Sequence, residues 1–152
     1  MNIIGIDYSL ETSSIDVYVS GCKGPHCKNC HNPQSWDFSE GLELNQDIFD
    51  NISNYIKTYR SLIKNIMIFG GEPLDQKHNE LYEFLNKLVY FNLPIWVFTR
   101  YNIEEVPNFV KDFVDYIKTG RYNEKLTCND NKQYGIVLST SNQKIWKKGV
   151  DF

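Results

Sequence analysis

Residues 15–36 read IDVYVSGCKGPHCKNCHNPQSW, an alternating strand that runs straight into a loop with three cysteines. Ile15, Val17 and Val19 alternate with Asp16 and Tyr18, the period of a strand with one buried face. Cys22, Cys27 and Cys30 follow in the spacing C-x4-C-x2-C. Three thiolates fill three corners of a tetrahedral site and leave the fourth open, which is where a substrate or cofactor binds. A closed structural site needs a fourth ligand, and His26 and His31 in the same loop make a Cys3His zinc knuckle one alternative. Tethered thiolates suit a cubane iron–sulfur cluster with an exposed fourth iron equally well. An oxidised Cys27–Cys30 pair is the third reading.

Outward from this stretch, helix and strand patterns alternate. Asn2–Asp7 reads as a short apolar strand, and 21–41 as a long loop. Asn45 is placed to cap a helix over Gln46–Tyr59, whose Ile48, Ile52, Tyr55, Ile56 and Tyr59 keep helical spacing. Ile66–Phe69 is a buried strand ended by Gly70-Gly71. Asn79–Tyr90 is a second helix with Leu81, Phe84, Leu85 and Leu88 on one face, and Ile95–Thr99 another buried strand. Glu104–Phe113 predicts a short helix with Pro107 in its first turn. Tyr116–Lys118 is a short strand and 120–133 a polar loop. Tyr134–Leu138 and Lys144–Trp146 are late strands. The alternation predicts an α/β fold with a parallel sheet and covering helices. Sites in such sheets form at the carboxyl ends of strands. The cysteine loop, Gly70-Gly71-Glu72-Pro73 and Thr99-Arg100 each follow a strand, so all three fall on one edge.

The 152 residues, 41% hydrophobic and 14% aromatic, predict a single folded domain over 1–152. A net charge of −3 argues against nucleic acid as the partner. No long apolar run predicts a membrane span, and MNIIGIDYSLET lacks the pattern of a signal peptide. The expected compartment is the cytoplasm, where clustered cysteines are metal ligands more often than disulfides.

Gly70 and Gly71 let a ligand approach the backbone, Glu72 adds an anionic acceptor suited to an ammonium group, and Pro73 stiffens the turn. An isolated GGEP would be an ordinary strand-to-helix turn; the cysteine triplet upstream changes its meaning. Cys128 in TCNDN has no CxxC partner and reads as a bystander. His78 reads as a solvated residue at a helix start, and Lys144, Lys147 and Lys148 as a solvated face.

With these pieces in place, the chain resembles radical S-adenosylmethionine (SAM) enzymes, and within them the activating proteins of anaerobic ribonucleoside-triphosphate reductases. The resemblance rests on IGIDYS, DVYVSGC, CHNPQSWDF, IMIFGGEPL, WVFTRYNIEEV, VDYIKTGRYNEKL and STSNQKIW. It implies a small, partial (β/α) barrel-like radical SAM core. It implies that Cys22, Cys27 and Cys30 bind three irons of a [4Fe–4S] cluster whose fourth iron SAM chelates. Gly70, Gly71 and Glu72 would hold the methionyl ammonium, His31 and Asn32 would lie near the nucleoside, and Thr99 would contact SAM. Catalysis would need no residue beyond cluster and SAM. Reductive cleavage of SAM would yield a 5′-deoxyadenosyl radical that takes a hydrogen from a backbone glycine. The implied partners are the reductase large subunit and an external electron donor such as flavodoxin. Activation of another glycyl radical enzyme, a deazaguanine-type synthase and a zinc-binding interaction module are the alternatives. The chain departs from the family pattern in three places: the family's C-x3-C-x2-C gains one residue near Gly24-Pro25, Asn29 precedes the third cysteine, and residues 11–15 replace a Gly-Pro-Gly stretch.

Overall fold

The structure, a computed structural model, describes all of residues 1–152. Seven strands form one open sheet in the order β3-β1-β2-β4-β5-β6-β9. They are β1 (Asn2–Ser9), β2 (Ser14–Val19), β3 (Leu42–Glu43), β4 (Asn65–Gly70), β5 (Ile95–Phe98), β6 (Tyr116–Thr119) and β9 (Lys144–Lys147). A separate two-stranded ribbon holds β7 (Lys132–Gln133) and β8 (Ile136–Val137).

β2, β4, β5 and β6 run parallel, as the alternation predicts. The sheet as a whole is mixed, because β1 pairs antiparallel with β2 and β9 antiparallel with β6. The turn from Ser9 to Ser14 is too short for a parallel crossover, so β1 can only fold back on β2.

The three helices are α1 (Gln46–Thr58), α2 (His78–Leu88) and α3 (Asn108–Phe113). The Asn45 side chain caps α1 by accepting the Ile48 N–H at 3.2 Å. The helix predicted over 104–113 is broken: a 3-10 turn spans Ile103–Glu105, and Pro107 stands before α3 rather than in its first turn. The strand predicted over 134–138 shrinks to Ile136–Val137. Tyr134 and Gly135 form the ribbon's two-residue turn with φ of 48° and 88°, which the strand-like run of apolar residues concealed.

The two faces of the sheet differ. On one, Ile15, Val17, Val19, Ile66, Ile68, Ile95, Val97 and Ile117 pack against α1, α2 and α3 in the main core. On the other, the strand period places Asp16 beside Met67, Met67 beside Trp96, and Trp96 beside Tyr116. No helix covers that face. A small cluster of Met67, Trp96, Leu138 and Ile145 closes part of it, and the remainder is a cavity.

Candidate active site

The cysteine loop is stitched to the GGEP turn through the backbone. Gly71 N–H donates to the Val19 carbonyl at 2.8 Å, and Glu72 N–H to the Gly21 carbonyl at 2.7 Å. The loop returns on itself, with Gly21 N–H on Ser35 O at 2.7 Å and Cys22 N–H on Trp36 O at 3.0 Å. Gly71 is needed at this crossing: a Cβ there would sit 2.2 Å from the Gly21 oxygen and 2.6 Å from the Ser35 oxygen. Gly70, at φ +119°, would meet the Val19 oxygen at 2.0 Å. The glycines therefore answer first to a close approach of the chain's own backbone, before any ligand.

Cys22, Cys27, Cys30, His31, Asn32, Gly70, Gly71, Glu72 and Thr99 all line one cavity of about 400 Å³. That volume lies in the range of small-molecule sites, about 300–1,000 Å³. All four cysteines are free thiols, and Cys128 is not among the lining residues. Cys22 is buried, and burial raises its pKa against the opposing pull of the Gly24 N–H and the Arg100 charge. His26 does not complete a ligand set. Its ring stacks on Trp36 at 3.8 Å, and Nε2 donates to the Cys22 carbonyl at 2.9 Å. His31 packs beside the Tyr122 ring at 5.2 Å. No three or more His, Cys, Asp or Glu side chains are gathered at the spacing of a single ion. A cubane, by contrast, takes each thiolate on a different iron.

Asn29 sits at φ +56°, a left-handed conformation that Asn tolerates and most side chains do not. Its side chain and that of Lys28 both donate to Glu124, which ties the Cys27–Cys30 turn to the segment after β6.

Glu72 is 1% exposed, and three of its acceptor positions are taken within the protein. Oε1 accepts from Thr99 Oγ1 at 2.6 Å and from Leu74 N–H at 3.1 Å, while Oε2 accepts from Arg100 N–H at 2.9 Å. Burial raises its pKa, and these hydrogen bonds oppose the rise. Thr99 is thus first a support for Glu72.

Sequence reading placed Thr99-Arg100 on the site's edge without giving Arg100 a role, and it missed Lys118, Tyr122 and Gln143. Lys118 is the most informative. Burial drops its pKa to about 8, with Glu72 and Cys27 pulling the other way, and its ammonium donates to the Gly120 carbonyl at 2.9 Å. A lysine in the four-residue strand YIKT, next to the buried Ile117, was the available signal.

Comparison with known proteins agrees with the site's chemistry. The family described as "4Fe-4S single cluster domain" matches residues 12–146. An anaerobic ribonucleoside-triphosphate reductase-activating protein of Haemophilus influenzae is 32% identical over 111 residues, covering 70% of this chain and 70% of the relative. A pyruvate formate-lyase-activating enzyme of Listeria monocytogenes is 32% identical over 83 residues, 49% of this chain and 33% of the relative. The chain belongs to the 4Fe-4S single cluster domain family and is an activating enzyme of the radical SAM superfamily, an oxidoreductase whose cofactors are a [4Fe–4S] cluster and S-adenosylmethionine.

Proposed function

We propose that the protein generates a glycyl radical on the large subunit of an anaerobic ribonucleoside-triphosphate reductase. The observation that carries the reading is the convergence of three free thiols, the GGEP turn and a depressed lysine on one cavity. The donor set fits a [4Fe–4S] cluster: Cys22, Cys27 and Cys30 would bind three irons and leave the fourth for SAM. When bound, the cluster would supply the one electron for cleavage of SAM to methionine and a 5′-deoxyadenosyl radical, which would take a hydrogen atom from the partner's glycine and leave as 5′-deoxyadenosine. Gly70, Gly71 and Glu72 would hold the methionyl ammonium, the last through its remaining acceptor position. Lys118 would face the methionyl carboxylate, since an ammonium disfavoured by its surroundings gains most from an anion. His31 and Asn32 would serve the nucleoside, and Thr99 would act through Glu72.

The reading treats 1–152 as one domain and its four parallel strands as the wall of a partial (β/α) barrel. The protein would work in the cytoplasm with an external electron donor such as flavodoxin. The shorter stretch shared with the pyruvate formate-lyase-activating enzyme keeps another glycyl radical enzyme as the second candidate partner.

The test mixes anaerobically reconstituted protein, reductant, SAM and the reductase large subunit. A glycyl radical doublet in the paramagnetic resonance spectrum, absent with Cys27→Ala, is the expected result. SAM cleavage with no doublet on the reductase would sink this partner assignment.

A further inference from the structure

Two arginines converge on one carbonyl of the cysteine loop. Arg100 Nη1 donates to Pro25 O at 2.9 Å, and Arg121 Nη1 donates to the same oxygen at 2.7 Å. A carbonyl has two lone pairs, and here both meet guanidinium N–H groups. Arg100 Nη2 also reaches Gly24 O at 3.2 Å, Asp75 Oδ2 at 3.0 Å and the Tyr101 hydroxyl at 3.2 Å. Asp75 in turn accepts the Lys23 N–H at 2.7 Å and the Tyr101 hydroxyl at 2.6 Å. Residues 23–25 are thus held from both sides, although Lys23 and Pro25 are exposed and no regular secondary structure spans them.

We propose that Arg100 and Arg121 are positioning residues that hold the Gly24–Pro25 turn, and so hold Cys22 and Cys27 at the spacing the cluster needs. The proposal rests on the reading of the cysteines as cluster ligands. Four residues separate Cys22 from Cys27, but only two separate Cys27 from Cys30. The longer span has more conformations to lose when the thiols are brought together. Arg100 is suited to limit them, because its side chain is only 8% exposed and Asp75 and Glu72 flank it. The backbone N–H of Arg100 anchors it to Glu72, so the loop and the GGEP turn share one support. Arg121 lies on the exposed segment whose Glu124 takes Lys28 and Asn29, which ties the other half of the loop. Lysine cannot replace Arg100, since one ammonium cannot span the two carbonyls, the carboxylate and the phenol.

The test compares wild type, Arg100→Lys and Arg121→Gln in two measurements. In the apo-protein, iodoacetamide labelling of Cys22 is followed by mass spectrometry, with Cys128 as internal reference. Cys22 should label about tenfold faster in Arg100→Lys and about threefold faster in the exposed Arg121→Gln, with Cys128 unchanged. In the reconstituted protein, cluster loss to a chelator should accelerate in the same order, and the reduced-cluster resonance line should broaden. Arg121→Gln should leave the thermal midpoint of the apo-protein unchanged, which separates positioning from general destabilisation. Equal labelling and equal cluster loss in all three proteins overturn the proposal. A wild type that takes up no cluster overturns the reading of the cysteines, while the labelling result still decides whether the arginines hold the loop.

Discussion

Lys118 gives the sharpest test of the ligand site. Its pKa in the folded protein is about 8, well below the usual lysine value. The difference means that burial disfavours the charged form by roughly 3 kcal/mol, treated as an upper bound. The sign follows from proton counting. Between about 8 and the unfolded value, the unfolded chain binds more protons, so stability rises with pH across that window, and the penalty is fully present below it. Lys118→Met should therefore stabilise the apo-protein at pH 7, by no more than about 3 kcal/mol, and the gain should shrink toward pH 10. Binding should respond in the opposite sense. An anionic carboxylate needs the ammonium protonated, and the protonated fraction falls about tenfold from pH 7 to pH 9 when the pKa is near 8. SAM affinity should fall by about that factor in wild type. The ligand's own α-amino group titrates in the same range, so the Lys118→Met profile serves as its reference. The titratable side chains facing the site, Cys22, Cys27, Cys30, His31, Glu72, Arg100 and Tyr122, are common to both proteins. Anaerobic calorimetry at pH 7, 8 and 9 supplies the data. Identical pH profiles for the two proteins, or a variant less stable at pH 7 than wild type, would refute the reasoning.

The remaining predictions concern the loop and its supports. Cys22→Ala, Cys27→Ala and Cys30→Ala should each abolish stable iron and sulfide binding, whereas Cys128→Ala should not; full cluster loss in the Cys128 variant alone would overturn the ligand assignment. Glu72→Gln puts an amide donor against a neighbouring N–H, either that of Arg100 or that of Leu74, and should destabilise the fold by roughly 1–3 kcal/mol in denaturant titration. The same variant should bind SAM about ten- to a hundredfold more weakly while keeping its cluster; unchanged affinity would exclude contact between the carboxylate and the ammonium. Gly71→Ala forces a Cβ against two carbonyl oxygens and should cost about 1–3 kcal/mol or more, with cluster loss because the cysteine loop must shift; a normal thermal midpoint would contradict the crossing.

Much of this architecture was legible in the sequence, for local reasons. The period-2 pattern of Ile15, Val17 and Val19, the helical spacing of Leu81, Phe84, Leu85 and Leu88, and the glycines after Phe69 each encode their own element. The cysteines, GGEP and Thr99 were legible as a group because strand ends in parallel arrangement share an edge. The misreadings have equally local causes. Pro107 suits either side of a helix start, and the apolar run around Tyr134 hid a turn that needs positive φ. Long-range partners were not legible. Nothing in the chain's order announces that Arg100 and Arg121 meet at Pro25, or that Glu124 reaches Lys28, because those contacts exist only once β5 and β6 lie side by side. Thr99 was read as a ligand contact, while the folded chain first assigns its hydroxyl to Glu72.

The asymmetry of the sheet explains why the chemistry sits where it does. The helix-covered face is built from Val and Ile, which interlock with α1 and α2 in a dry core. The opposite face of the same strands carries Asp16, Tyr18, Met67, Phe69, Trp96, Phe98, Tyr116 and Lys118. Its aromatic rings already pack on one another, with Phe69–Phe98 centroids 4.2 Å apart and Trp96–Tyr116 centroids 3.8 Å apart. A fourth helix laid on this surface would strand Asp16 and Lys118 among apolar atoms. What the chain offers instead is the ribbon segment 136–139, which supplies Ile136, Val137, Leu138 and Ser139 to the cavity's wall. Val137 in that wall is still 52% exposed. Under the proposed function, a carbon radical formed here attacks whatever it reaches, so a wall that remains half open must be completed before the radical forms. A partner's glycine segment would both complete the wall and present the atom to be attacked. SAM cleavage should then be slow and uncoupled in the isolated protein and should accelerate when the partner is added; equal cleavage rates with and without partner would argue that the cavity is already sufficient by itself.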